Sequence, residues 1–161
     1  MPRASDDPTA LAGRLYDQYG ASLYRYALML LADRSAAEDA VQQVFAAFIA
    51  RVARDGTVID NAEHYLRRSV RNECYSALRR TVTDASDALL QSIAGADDRP
   101  DERLALERAL KSLPPDQREV VHLKIYEGMT FQEIATETGE SINTIASRHR
   151  YALEKLKALL T

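Results

Sequence analysis

Apolar residues return every three or four positions along most of this chain, and the gaps in that rhythm divide it into helices. From residue 11 to about 31, Leu15, Tyr19, Leu23, Tyr26 and Leu30 share one face. Ser35 with Glu38 has the form of a capping box and opens a second helix, to about residue 54. Its Val41, Val44, Phe45, Phe48, Ile49 and Val52 turn inward, leaving Glu38, Asp39, Gln42 and Gln43 on the outer side. Residues 54–60, with Gly56, read as a loop. Asp60 with Glu63 then caps a third helix running to about residue 80. Residues 1–8 carry two prolines and mixed charge, the composition of a frayed end.

The third helix is two-sided in its chemistry. Leu66, Val70, Cys74, Ala77 and Leu78 share one face, while Arg67, Arg68, Arg71, Asn72, Tyr75 and Arg79 occupy the opposite arc. Between residues 64 and 81 five arginines stand against one glutamate, so positive charge is concentrated here. Such a surface suits phosphates, and Tyr75 or Tyr65 is placed to stack on an unpaired base. From residue 81 to about 103 the rhythm dissolves into acidic and small residues with Gly95 and Pro100, the composition of a linker. Leu89, Leu90 and Ile93 have the spacing of a single docking turn. The rhythm resumes with Leu106, Leu110 and Leu113 and is stopped by Pro114 and Pro115. Asp116 and Glu119 cap a further helix that buries some of Val120, Val121, Leu123 and Ile125 and ends at Gly128. No segment sustains strand alternation, which makes the fold all-α: two small helical domains joined by an acidic linker.

The stretch from Thr130 to Leu160 is the most informative. Thr130 with Glu133 forms a capping box for a short helix, Gly139 permits a sharp exit, and Ser141 caps a longer helix. At about 100° per residue, Ile142, Ile145, Ala146, His149, Leu153, Leu156 and Leu160 gather on the inner side. Asn143, Thr144, Ser147, Arg148, Tyr151 and Lys155 gather on the other. Ala135, Gly139 and Ile145 supply the small contact residue, turn glycine and interhelical core residue of a DNA-binding helix-turn-helix, which this stretch resembles. The polar face is then the one that enters the major groove.

Charge narrows what such a protein does alone. A net charge of -3 excludes holding nucleic acid by bulk electrostatics, so DNA contact must be local or shared with a larger partner. Cys74 has no second cysteine to pair with, and no apolar run follows a basic N-terminal segment, which leads to a cytoplasmic expectation without membrane insertion. His64, His122 and His149 lack ligand spacing, and no nucleophile constellation, phosphate loop or paired-carboxylate site appears. The expectation is a protein with no metal, no cofactor and no catalysis of its own.

Three segments, in this order, carry a family resemblance: Ala37-Glu38-Asp39-Ala40-Val41-Gln42-Gln43-Val44-Phe45, Tyr65-Leu66-Arg67-Arg68-Ser69-Val70-Arg71-Asn72, and Leu113-Pro114-Pro115-Asp116-Gln117-Arg118-Glu119-Val120-Val121 followed by residues 128–135. With them the chain resembles a bacterial RNA polymerase sigma factor of the extracytoplasmic-function group, sigma-70 family. The resemblance implies a region 2 domain over 9–82, a linker over 83–102 and a region 4 helix-turn-helix domain over 103–161. It implies as partners core RNA polymerase, through the β′ clamp helices and β flap, promoter DNA, and in some cases an anti-sigma factor. Glu38, Asp39, Gln42 and Gln43 would face the clamp helices. Arg68, Arg71, Asn72, Tyr75 and Arg79 would hold the minus-ten region, where a base flips from the non-template strand. Asn143, Thr144, Ser147, Arg148, Arg150 and Tyr151 would meet the minus-thirty-five element, with Arg148 or Arg150 reading guanine and Lys155 on phosphate. The acidic linker would thread toward the RNA exit path.

The chain departs from the family pattern in having no tryptophan; Ile49 and Tyr65 stand near the places where relatives often carry one. Ala146 and His149 replace residues that are often basic and aliphatic. Two other readings remain at this stage. One is a regulator that binds operators as a dimer through its helix-turn-helix alone; the other is a helical adaptor indifferent to reversal of its arginine face.

Overall fold

A computed structural model describes residues 7–56, 60–80 and 101–161, and all the regular structure among them is helical. The expected frayed end falls mostly, and the linker with its Leu89 turn almost wholly, outside the described residues. The chain divides into two compact units, Met1–Thr81 and Val82–Thr161.

In the first unit α1 (Pro8–Leu31), α2 (Arg34–Asp55) and α3 (Ala62–Arg80) each pack on the other two. Tyr26 and Leu30 of α1, Phe48 of α2, and Leu66, Val70 and Cys74 of α3 are fully buried. The three from α3 recur every fourth residue, the narrow stripe a helix needs when two neighbours share its face. Leu15 and Tyr19 are only half-buried, because the inward face of α1 is centred farther along, on Leu23, Tyr26, Ala27 and Leu30.

The caps differ from those expected. Asp7 accepts the N–H of Thr9 at 3.3 Å and Pro8 sits at the first turn, so α1 starts before residue 11. Asp33, not Ser35, caps α2: it has the extended backbone a cap requires and its carboxylate accepts the N–H of Ala36 at 3.2 Å. Asn61, not Asp60, serves α3, accepting the N–H of His64 at 3.0 Å. In each case the residue immediately before the helix supplies the carboxylate or amide that reaches the orphan amides.

The second unit comprises α4 (Asp101–Ser112), α5 (Pro115–Val121), a π-helical turn (His122–Tyr126), α6 (Phe131–Thr138) and α7 (Ile142–Leu160). The expected box at Asp116 and Glu119 does not form. Pro114 occupies the cap position, and Asp116 instead accepts the N–H of its neighbour Gln117 at 2.9 Å. Helix α7 is the hub, packed on by α4, α5 and α6. Ala109, Leu113, Val121, Ala152 and Leu156 form one apolar cluster, and Ile134 and Ile145 are fully buried. The inner stripe of α7 is therefore Ile145, Ala152 and Leu156, flanked by half-buried His149. Ile142, Leu153 and Leu160, expected inside, are exposed, because the covering helices shield a narrower arc than the wheel suggested. No helix among the described residues is long and apolar enough to cross a membrane.

Candidate nucleic-acid interface

The helix-turn-helix is built from local hydrogen bonds that the sequence dictates. Glu133 N–H donates to the Thr130 hydroxyl and Thr130 N–H donates back to the Glu133 carboxylate, both at 3.1 Å. These bonds hold the Glu133 carboxyl below its ordinary range. Gly139 ends α6 at φ 76°, where a side chain would strain the backbone. Ser141 then accepts the N–H of Thr144 at 3.1 Å and its hydroxyl donates to that of Thr144 at 2.9 Å.

The inner flank of α7 meets an aromatic. The His149 ring lies edge-on to Phe131 at 5.2 Å, and the Lys124 ammonium sits 4.7 Å from the centre of the same Phe131 ring. Burial, and secondarily Lys124, lower the pKa of His149 from its ordinary 6.5. A lowered folded-state pKa means the unfolded chain binds the proton more readily, so this contribution is present above 6.5 and lost as pH falls through the folded value. Accordingly, acidification from about pH 7.5 to about pH 5 should lower the melting temperature of the wild type more than that of His149→Leu. Parallel pH slopes in thermal unfolding would contradict this.

On the outer arc of α7, Asn143, Arg150 and Tyr151 are exposed and Ser147 and Thr144 are half-buried. The Arg150 guanidinium lies 5.1 Å from the Tyr151 ring centre, a stacked pair on an open surface. Arg148 is placed otherwise. Its Nε lies 3.2 Å from Asp116 and its Nη2 3.5 Å from Glu140. Lys155, two turns farther along the same stripe, donates to the backbone carbonyl of Ser112 at 3.0 Å.

In the first unit, Arg68, Asn72 and Arg79 are exposed, with Tyr75 between them, half-buried. The i, i+4, i+7, i+11 spacing aligns these four in one stripe about 16 Å long, at about 1.5 Å per residue. Arg71 lies beside it, its guanidinium 4.6 Å from the Tyr75 ring centre. Other arginines of α3 are tied down: Arg67 pairs with Glu63 at 3.2 Å and Arg80 with Glu73 at 3.4 Å. Tyr65 packs on Phe48 at 6.1 Å and carries the Arg51 guanidinium 5.0 Å from its ring centre. On α2, Glu38, Asp39, Gln42 and Gln43 are exposed and form two adjacent i, i+4 rows opposite Ala37, Ala40, Val41 and Val44.

Sequence patterning missed several polar residues that organise the second unit. Arg118 is 5% exposed and its Nη1 donates to the Lys111 carbonyl at 3.3 Å, closing the turn between α4 and α5. Glu119, His122 and Glu137 are also buried, with His122 at 3.4 Å from Glu127 and stacked on Tyr126. Charged letters read as surface unless a partner is visible, and the partner of Arg148, Asp116, lies far from it in sequence.

Family models match both halves of the chain: Sigma-70 region 2 over residues 15–83 and Sigma-70, region 4 over residues 103–156. The chain is 34% identical, over 161 aligned positions, to the ECF RNA polymerase sigma factor SigL of Mycobacterium tuberculosis, covering 94% of this chain and 89% of that one. It is 28% identical to the ECF RNA polymerase sigma factor SigK of Mycobacterium bovis, covering 99% and 96%. Among solved structures it is similar to the sigma factor RpoE of Bartonella quintana, crystallised with the anti-sigma factor NepR, at TM-score 0.69 and 26% identity, covering 92% and 95%.

Proposed function

The chain belongs to the extracytoplasmic-function group of the sigma-70 family, and from that premise we propose that it directs core RNA polymerase to specific promoters and helps open them. The single observation that carries this reading is that matches to region 2 and region 4 occur in one chain, each over a unit with an exposed basic or polar helix face. In this reading Arg68, Arg71, Asn72, Tyr75 and Arg79 meet the minus-ten element. Asn143, Thr144, Ser147, Arg150 and Tyr151 lie on the face turned to the minus-thirty-five element. Catalysis belongs to the polymerase. A regulator using its helix-turn-helix alone would have no use for the region 2 match, which speaks against that alternative. An anti-sigma partner, by analogy with the RpoE complex, and a cytoplasmic location belong to the same proposal.

The test is run-off transcription by the purified chain with bacterial core enzyme over a promoter library. Transcripts from a defined promoter subset are expected; none from any promoter, with active core, would remove the reading. The exposed acidic and amide rows of α2 make a further expectation. Glu38→Lys with Asp39→Lys reverses two charges on a surface proposed to meet the clamp helices, and like-charge contact should weaken binding to core by several kcal/mol. Undiminished co-purification with core would place that contact elsewhere.

A further inference from the structure

We infer that Arg148 and Lys155 form an internal brace that fixes helix α7 against the turn from α4 to α5, which makes Asp116 a positioning residue for minus-thirty-five recognition. The inference deepens the proposed function and rests on it for its promoter arm. Arg148 and Lys155 are seven residues apart, so they lie on one stripe of α7, beside the buried Ile145, Ala152 and Leu156. Both reach the same short connection. Arg148 meets Asp116 just after it and Lys155 meets the Ser112 carbonyl just before it.

The anchor at Asp116 is itself held, because its Oδ1 accepts the N–H of Gln117 at 2.9 Å while its Oδ2 faces Arg148 Nε. The anchor at Ser112 is the carbonyl end of α4, where a cation is favoured. Between them lie Pro114 and Pro115, whose fixed φ keeps the two anchors in register. The brace thus sets the rotation and depth of the face bearing Asn143, Ser147 and Arg150.

Charge bookkeeping favours a brace over a base-reading role for Arg148. Its side chain is 22% exposed and is shared by two carboxylates, Asp116 at 41% and Glu140 at 40%. Swinging Arg148 onto a guanine would leave both carboxylates uncompensated on the same unit that approaches phosphates. Arg150 is placed differently: it is exposed and stacks on Tyr151.

The experiment is a double-mutant cycle in the full chain with Arg148→Ala, Asp116→Asn and both together, plus Asp116→Glu as the conservative variant. The holoenzyme formed with core polymerase is titrated on a library randomised at the minus-thirty-five element. The brace predicts that each single change weakens promoter binding by about three- to fivefold and that the double is no worse than one single. It predicts an unchanged base preference and recovery in Asp116→Glu. If Asp116→Asn binds as well as or better than the wild type, while Arg148→Ala levels the preference at one base pair, Arg148 is a reader and the brace is overturned. Melting midpoints of the free chain separate this from the promoter reading. A wild type that starts no transcript strikes that reading alone, while non-additive midpoints for Arg148 and Asp116 still support the brace and additive ones overturn it.

Discussion

Phe48→Ala is expected to remove about 3–5 kcal/mol from the N-terminal unit, a large share of the stability that a domain of this size holds. The reason is position. Phe48 is 1% exposed on α2, and its ring meets Tyr65 of α3 at a centroid distance of 6.1 Å. Cutting it to a methyl group removes apolar area and leaves a void that three mutually packed helices cannot close by moving one of them. Cys74, buried in α3, gives a second readout in the same core. A thiol reagent should label it much faster in the variant, alongside a lower denaturant midpoint. Because the rows of Glu38 and Asp39, proposed to meet core, lie on the same helix as Phe48, binding to core should fall with it. An unchanged midpoint together with unchanged Cys74 labelling would show that the site collapses without cost.

The helices were legible because each buried face repeats with a helical period and every break but one coincides with proline, glycine or an acidic run; the turn from α1 to α2 instead runs through Ala32, at φ 56°, and the cap Asp33. Leu23, Tyr26 and Leu30, or Leu66, Val70 and Cys74, need nothing beyond spacing to be placed inside. The helix-turn-helix was equally legible: Thr130 with Glu133, Gly139 and Ser141 act over a few residues, so their hydrogen bonds are nearly written in the letters. The caps of α2 and α3 were not, since Ser35 and Asp60 fit a cap as well as Asp33 and Asn61 until the backbone angle is known. Candidate site residues divide the same way. Exposure of Arg68 and Asn72 follows from the wheel. The engagement of Arg148 by Asp116 does not, because it depends on how the π-helical turn and α6 return the chain to that point.

Removing Arg68 and Arg79 together is expected to weaken promoter opening by about two orders of magnitude, whereas removing Arg67 and Arg80 should cost far less. Both pairs delete two positive charges from one helix of a chain whose net charge is -3, so net charge cannot distinguish them. Placement does. Arg68 and Arg79 are exposed on the stripe that also carries Asn72 and Tyr75, while Arg67 and Arg80 are spent on Glu63 and Glu73 at 3.2 and 3.4 Å. An arginine already facing a carboxylate offers a phosphate little net field, and pulling it away exposes the acid. Each lost phosphate contact should also lower the salt slope of binding by about one, so Arg68→Ala with Arg79→Ala should lower it by about two. Titrating holoenzyme on a promoter at several salt concentrations, with permanganate footprinting for strand opening, measures both quantities. Core binding should stay at its wild-type level in both double variants, because the α2 face proposed to meet core is untouched. Equal losses from the two pairs would mean that the α3 surface acts through total charge, and that the stripe has no directional role in holding the opened strand.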